Sequence, residues 1–164
     1  MNKKGFTLIE LIGTITILAI IMAIAIPNVI SITRKNKNQT YINDARKMVT
    51  LAKYEFESNA SIARPNGSAS SCVVIQLKNL DQSELQKGPE SGIYDGDESY
   101  VKIIYDIDKK VYAYSVQIIE EYSGNRKGLK LTAYDEIIKL DAKNKITTTG
   151  FTSSTSTGCT VVNK

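Results

Sequence analysis

The chain contains no histidine. That absence removes the commonest general base, and with it Ser-His and Cys-His catalysis and His-ligated zinc. Strong charge of either sign is also lacking. Twenty-one basic residues against 17 acidic ones leave a net charge of +4, too weak and too evenly spread for the basic stripe of a nucleic-acid binder. Cysteine is scarce: Cys72 and Cys159 are the only two. A local absence is the most informative, because from Leu11 to Thr33 no side chain carries a charge.

What fills that gap is the apolar run IGTITILAIIMAIAIPNVISI. A helix crosses the hydrocarbon of a bilayer with about 20 apolar residues, and Phe6 to Ile32 meets that length with Glu10 as its only charge. The segment reads as a membrane anchor. A cleaved secretory signal fits poorly, since the run is too long and no small-residue cleavage site follows it. Setting the run aside leaves roughly 130 residues of ordinary soluble composition, enough for one small core.

Hydropathy leaves Glu10 unexplained. An ionised carboxylate inside a bilayer costs about 2.5–3.5 kcal/mol on insertion scales, so it is seldom kept without a partner or a task. Its neighbours are Lys3, Lys4, Gly5, Phe6, Thr7, Leu8 and Ile9. This stretch resembles the class III signal of type IV prepilins: a basic leader from Met1 to Gly5, then Phe6, then T-L-I-E, with Pro27 at the position of the family's helix-kinking proline. The resemblance implies cleavage by a prepilin peptidase between Gly5 and Phe6, N-methylation of Phe6, a cytoplasmic leader and an external head. It also implies a role for Glu10. The new α-ammonium of Phe6, or that of an adjacent subunit, would neutralise the carboxylate. Charges about 4 Å apart at low effective dielectric attract by several kcal/mol, so the pair would set the register between stacked subunits, as buried polar pairs do in coiled coils. Lys3 and Lys4 precede the span and Arg34, Lys35 and Lys37 follow it, so the positive-inside count does not fix orientation. The second cluster reads as a solvated interfacial anchor.

Beyond the span the chain is polar but keeps a helical period. Ile42, Ala45, Val49, Ala52 and Phe56 recur at spacings of three and four, and Met48 widens the stripe. One helix is expected from Phe6 to about Ser61, closed by Arg64-Pro65-Asn66-Gly67, with a kink or local melting between Ile21 and Pro27 because proline removes a helical hydrogen bond. Alternating residues at 100–105, 111–119 and 129–134 read as strands, with turns at 106–110 and 123–128. Short connections make them an antiparallel meander, whose apolar face the helix stripe would cover. Residues 72–77 read as a further extended piece, and Asp81-Gln82-Ser83-Glu84 has capping-box spacing and starts a helical turn.

The tail ITTTGFTSSTSTGCTVVNK is rich in Ser and Thr, and composition alone would make it disordered. Its cysteine argues otherwise. In an exported head without histidine, a Cys72–Cys159 disulfide is favoured over a reactive thiol or a metal site, and it would resemble the disulfide-bounded loop of many type IV pilins. Asp95, Asp97 and Glu98 lie near Gly96 but lack an EF-hand pattern, and they read as a solvated turn rather than a calcium site. Asn38, Asn59 and Asn66 each begin a glycosylation triplet, a frequent chance match. The tyrosines are assigned by default to core and sheet surface, with binding of carbohydrate, protein or single-stranded nucleic acid open to any that are exposed.

The expected fold is α+β, a long N-terminal helix packed on a small antiparallel sheet. Its parts are a leader at 1–5, a membrane or filament-core helix at 6–33, an amphipathic continuation at 34–62 and a head at 63–164. The resemblance implies a structural subunit, not an enzyme, with no cofactor and no metal. It would join a homo-oligomeric or mixed pilin filament for adhesion, aggregation or twitching, in contact with the membrane, the prepilin peptidase, an inner-membrane assembly platform and, at the head, a surface ligand of a host. The alternative is a pseudopilin of type II secretion or of competence, where DNA would be a partner. A plain anchored enzyme or binding domain is a third reading, which the missing histidine and nucleophile set disfavour.

Overall fold

The structure is a computed structural model that describes residues 5, 7–68, 71–83, 85–139, 146–155 and 158–162. It divides into two compact units, one up to Asn36 and one from Lys37 onward. Helix α1, Leu8–Ser58, contributes to both and has Pro27 inside it. It ends three residues before the expected Ser61.

In the first unit the large aliphatics from Leu8 to Ile32 are exposed. The polar side chains among them bond to their own helix. Thr14 Oγ1 donates to Leu11 O at 2.8 Å, Thr16 Oγ1 to Gly13 O at 2.9 Å, Asn28 Nδ2 to Ile24 O at 3.1 Å and Thr33 Oγ1 to Val29 O at 2.9 Å. An apolar helix whose hydroxyls and amide are internally satisfied needs no water around it. Residues 21–27 are helical throughout, so the local melting anticipated there is not found. Proline costs the bond to the Ala23 carbonyl, and the bonds of the flanking turns carry the helix past it.

In the second unit α1 buries Tyr41, Ile42, Asp44, Ala45, Met48, Val49, Ala52 and Phe56. This is the anticipated stripe with Tyr41 and Asp44 added. Arg64 closes the helix end: its guanidinium lies 4.1 Å from the Phe56 ring centroid and donates to the carbonyls of Phe56 and Glu57, supplying the cation that the last turn lacks.

Seven strands lie in one sheet among the described residues. They are β1 (Cys72–Gln76), β2 (Ile93–Tyr94), β3 (Tyr100–Asp106), β4 (Val111–Tyr122), β5 (Asn125–Ala133), β6 (Ile146–Thr147) and β7 (Thr160–Val161). The order is β6-β5-β4-β3-β1-β7, with β2 paired to the far end of β4. Among the described strands only β1 and β7 run parallel, so the α+β class and the central meander β3-β4-β5 stand as read. The turn expected at 123–128 shrinks to Ser123–Gly124, both at positive φ, the geometry of a two-residue hairpin. Asn125, Arg126 and Lys127 instead pair with Tyr122, Glu121 and Glu120. Gly128 is fixed by contact, since a Cβ there would lie 1.9 Å from Ile118 O. Residues 134–139, whose first member was read as strand, form a short helix, α2 (Tyr134–Lys139). The Asp81 turn does not grow into a helix. Asp81 Oδ1 accepts from Ser83 N at 3.0 Å and Leu85 N donates to Gln82 O at 3.0 Å, while Glu84 lies outside the described residues.

One face of the sheet, with Val73, Ile75, Val101, Ile103, Val116, Ile118 and Leu129, joins the buried stripe of α1 in the core. The other face is partly covered by the tail. Gln117 Nε2 donates to Thr152 O at 2.8 Å while its Oε1 accepts from Thr152 N at 2.9 Å, and Gln76 Nε2 donates to Ser154 Oγ at 3.0 Å. Val162 N donates to Val74 O at 2.9 Å. The Ser/Thr-rich segment is therefore ordered by backbone groups that Gln117 and a strand edge satisfy and by a serine hydroxyl that Gln76 holds.

Candidate functional site

The N-terminal constellation begins at Gly5, which is exposed; a Cβ added there would meet nothing within 4 Å. Packing among the described residues thus gives no reason for glycine at this position. Phe6, expected to be the cleaved and methylated residue, lies outside the described residues, as do Lys3 and Lys4. Thr7 and Glu10 are both exposed and bond reciprocally. Thr7 N donates to Glu10 Oε2 at 2.9 Å, Thr7 Oγ1 donates to the same oxygen at 2.8 Å, and Glu10 N donates to Thr7 Oγ1 at 3.3 Å. This is a capping box, with threonine at the N-cap and glutamate three residues on. The T-x-x-E spacing is visible in the sequence, but the capping role of Thr7 shows only in the geometry of the helix start.

Cys72 and Cys159 form a disulfide, 87 residues apart in sequence and with Cα atoms 4.7 Å apart. It fastens the start of β1 beside β7. Lys37, read as part of a solvated anchor with Arg34 and Lys35, instead pairs with Glu90 at 2.5 Å.

A second polar constellation was not legible in the sequence. Glu120, on β4, is fully buried. Its carboxylate accepts from the Tyr41 hydroxyl, from Glu90 N at 3.0 Å and from Gly92 N at 2.6 Å. One side chain thereby ties α1, β4 and the 88–92 loop together. Beside it Tyr94 Oη donates to Asp44 Oδ2 at 2.6 Å. Burial pushes both tyrosine hydroxyls far above their ordinary range, and the carboxylates they face add to the effect. Burial likewise raises the Asp44 carboxyl, against the opposing Tyr94 bond and the Lys47 charge. Tyr100, buried near Glu98, is pushed up to about 12.

Asp95, Asp97 and Glu98 do not converge. Asp95 Oδ1 accepts from Asp97 N and Glu98 N, both at 2.9 Å, while Asp95 Oδ2 pairs with Arg126 at 3.2 Å. Asp97 pairs with Lys78 at 2.5 Å. No cluster of three metal-ligating side chains occurs among the described residues. Of the glycosylation triplets, Asn38 lies inside α1, and Asn59 and Asn66 each bind a nearby backbone amide, those of Ser61 and Ser68.

The prokaryotic N-terminal methylation motif matches residues 1–26. The type IV wide pilus major component PilA4 of Thermus thermophilus is 44% identical over 63 residues, covering 36% of this chain and 46% of that protein. Together they support a type IV pilin. No solved structure matches the chain. A pilin reading accommodates the exposed apolar helix, the antiparallel-dominated sheet and the Cys72–Cys159 bridge, and it points to a structural subunit. The chain spans less than half the length of the curated relative that it matches.

Proposed function

We propose that the chain is the structural subunit of a surface type IV pilus. In this reading a prepilin peptidase cuts between Gly5 and Phe6, Phe6 is N-methylated, and the subunit waits in the membrane through residues 6–33 before an inner-membrane platform adds it to the filament. The segment 34–62 and the head 63–164 then face outward. The observation that carries the reading is the conjunction, at one end of the chain, of the methylation motif with a helix long and apolar enough to span a membrane, whose large aliphatics from Leu8 to Ile32 are exposed. An exposed apolar surface of that size is unstable in water and calls for lipid or neighbouring copies of itself. Pro27 would bend the helix where subunits pack.

The test is direct. Mass spectrometry of the mature protein should find N-methylated Phe6 at the start, and antibody against the head should label long surface fibres that vanish on gene deletion. An intact Met1 in the mature protein would overturn the reading. Processed protein without long fibres, accompanied by a secretion or DNA-uptake defect on deletion, would assign the chain to a pseudopilus.

A further inference from the structure

The second unit carries an open cleft of about 620 Å³, lined by Glu90, Ser91, Ile93, Asp95, Glu121 and Ser123 among others. Its walls are held in place. Ile93 and Glu121 are register partners and both face out, Ile93 at 69% exposure. The next pair, Tyr94 and Glu120, is buried. Glu120 grips the amides of Glu90 and Gly92 from below, and a Cβ on Gly92 would come within 2.2 Å of Glu121 O. The loop thus lies directly on β4, so a ligand would meet a preformed surface.

The charges lining the cleft are matched. Glu90 pairs with Lys37 and Lys127, each at 2.5 Å; Asp95 pairs with Arg126 at 3.2 Å; Glu121 meets Arg126 Nε at 3.5 Å. Each of these lining carboxylates faces a cation and each of those cations is paired, so neither sign is left over to recruit a free ion or a phosphate backbone. Lipid calls for a wider apolar lining than the single exposed aliphatic, Ile93. Acceptor and donor capacity nevertheless remain. Glu121 is 58% exposed with a long contact to its cation, and Arg126 is 41% exposed. The half-buried Phe151 ring stands 5.7 Å from the Arg126 guanidinium. A carboxylate beside a guanidinium presents the paired acceptors and donors that adjacent hydroxyl groups need, and an isolated aliphatic offers a contact for a C–H face.

We infer that this cleft binds carbohydrate, taking a neutral sugar unit whose hydroxyls bond to Glu121 in the wall and to Arg126, the ion-pair partner of Glu121 and Asp95 beside the wall, and whose ring packs on Ile93. The site belongs to the folded second unit and does not depend on filament assembly, so its failure would leave the pilus reading standing.

Saturation-transfer NMR on the full chain in a sugar-free detergent, with lactose, N,N′-diacetylchitobiose and methyl glucuronide as probes, tests the inference. Transfer to ring protons of at least one neutral disaccharide is expected. Glu121→Ala should weaken binding by about tenfold, the size of a lost bond to a charged group, and Ile93→Arg should abolish it. Tyr54→Ala, on an exposed part of α1, should leave binding unchanged. Near-UV circular dichroism identifies any variant that has lost its fold. No transfer to either neutral sugar, equal transfer in folded Glu121→Ala and the parent chain, or preference for the glucuronide would each overturn the inference.

Discussion

Glu10 takes both hydrogen-bond donors of Thr7 and returns its own amide to the threonine hydroxyl. One carboxylate oxygen, Oε2, is therefore held within a single helical turn of the same chain. This alters the argument from sequence, in which an unpaired subunit carries a bare charge in lipid. If cleavage exposes an ammonium on Phe6, that cation arrives beside a carboxylate whose Oε2 already accepts twice from Thr7, and it competes well for the group because a charged donor bonds about twice as strongly as a neutral one.

Capping and assembly are separable by substitution. Thr7→Val removes the hydroxyl but keeps the amide and Glu10, so it should cost about 1 kcal/mol at the helix start and leave fibre yield near that of the parent. Glu10→Ala should be processed normally yet give few or no fibres. Fibres counted by microscopy against subunit abundance by immunoblot decide the matter: equal yield from Glu10→Ala would reject the electrostatic role, and a Thr7→Val loss as large as that of Glu10→Ala would assign it to capping.

Glu120 provides the second prediction. Tyr41→Phe deletes one of its donors while two backbone amides remain, a loss of about 1–2 kcal/mol. Glu120→Ala leaves a buried hydroxyl and two amides without an acceptor and should cost about 3–5 kcal/mol. Denaturant unfolding of the intact protein, followed by tyrosine near-UV signal, measures both. A Glu120→Ala loss no larger than that of Tyr41→Phe would show that the carboxylate does not organise the loop.

The elements that could be read in advance are those long enough to show a period. The stripe from Ile42 to Phe56 and the alternation over Tyr100–Asp106 and along β4 both rest on repeated apolar positions, and both reappear in the core. Strands β2, β6 and β7 are two residues each and can show no period at all. The start of β5 was misread because Asn125-Arg126-Lys127 is polar, although opposite charges on β4 face it across the hairpin. Tyr41, Asp44 and Glu120 were hidden for a related reason. A polar side chain signals burial only through its partner, and the Glu120 hydroxyl donor is 79 residues away in sequence. At the N-terminus the motif was legible, while the capping role of its threonine required the geometry.

Stability should depend on pH through two carboxylates of opposite sense. Burial raises the Asp44 carboxyl above its ordinary 3.8, outweighing the Tyr94 bond and the Lys47 charge. The stability it contributes is fully present below 3.8 and is lost as pH rises through the raised value. Burial also pushes Glu90 upward, but bonds from Lys127 and Lys37 together hold it below its ordinary 4.5. Its contribution is present above 4.5 and is lost as pH falls through the lowered value. Asp44→Asn, which can still accept from Tyr94, should therefore stabilise the head at neutral pH relative to acid. Glu90→Gln should flatten the loss on the acid side. Urea midpoints from pH 3 to 7 (roughly the interval spanned by shifted carboxyls) check both signs, and a destabilised Asp44→Asn at neutral pH would refute the first.

The disulfide and the glutamine clamps hold the same tail by independent means, and their removal should not have the same effect. Replacing both Cys72 and Cys159 with serine frees the unfolded chain of a long cross-link and should lower stability by about 2–5 kcal/mol. The folded tail should nevertheless stay docked, because Gln117 still binds both backbone groups of Thr152 and Val162 still pairs with Val74. Gln117→Ala in the oxidised protein should do the reverse, freeing the Thr152 amide and the Glu98 carbonyl that the same side chain holds while the cross-link stays in place. Hydrogen exchange resolves the two: protection at Thr152 should survive in the cysteine-free protein under folding conditions and fall in Gln117→Ala. Loss of that protection on removing the cysteines alone would make the covalent bond, rather than the amide clamp, the element that keeps the tail on the sheet.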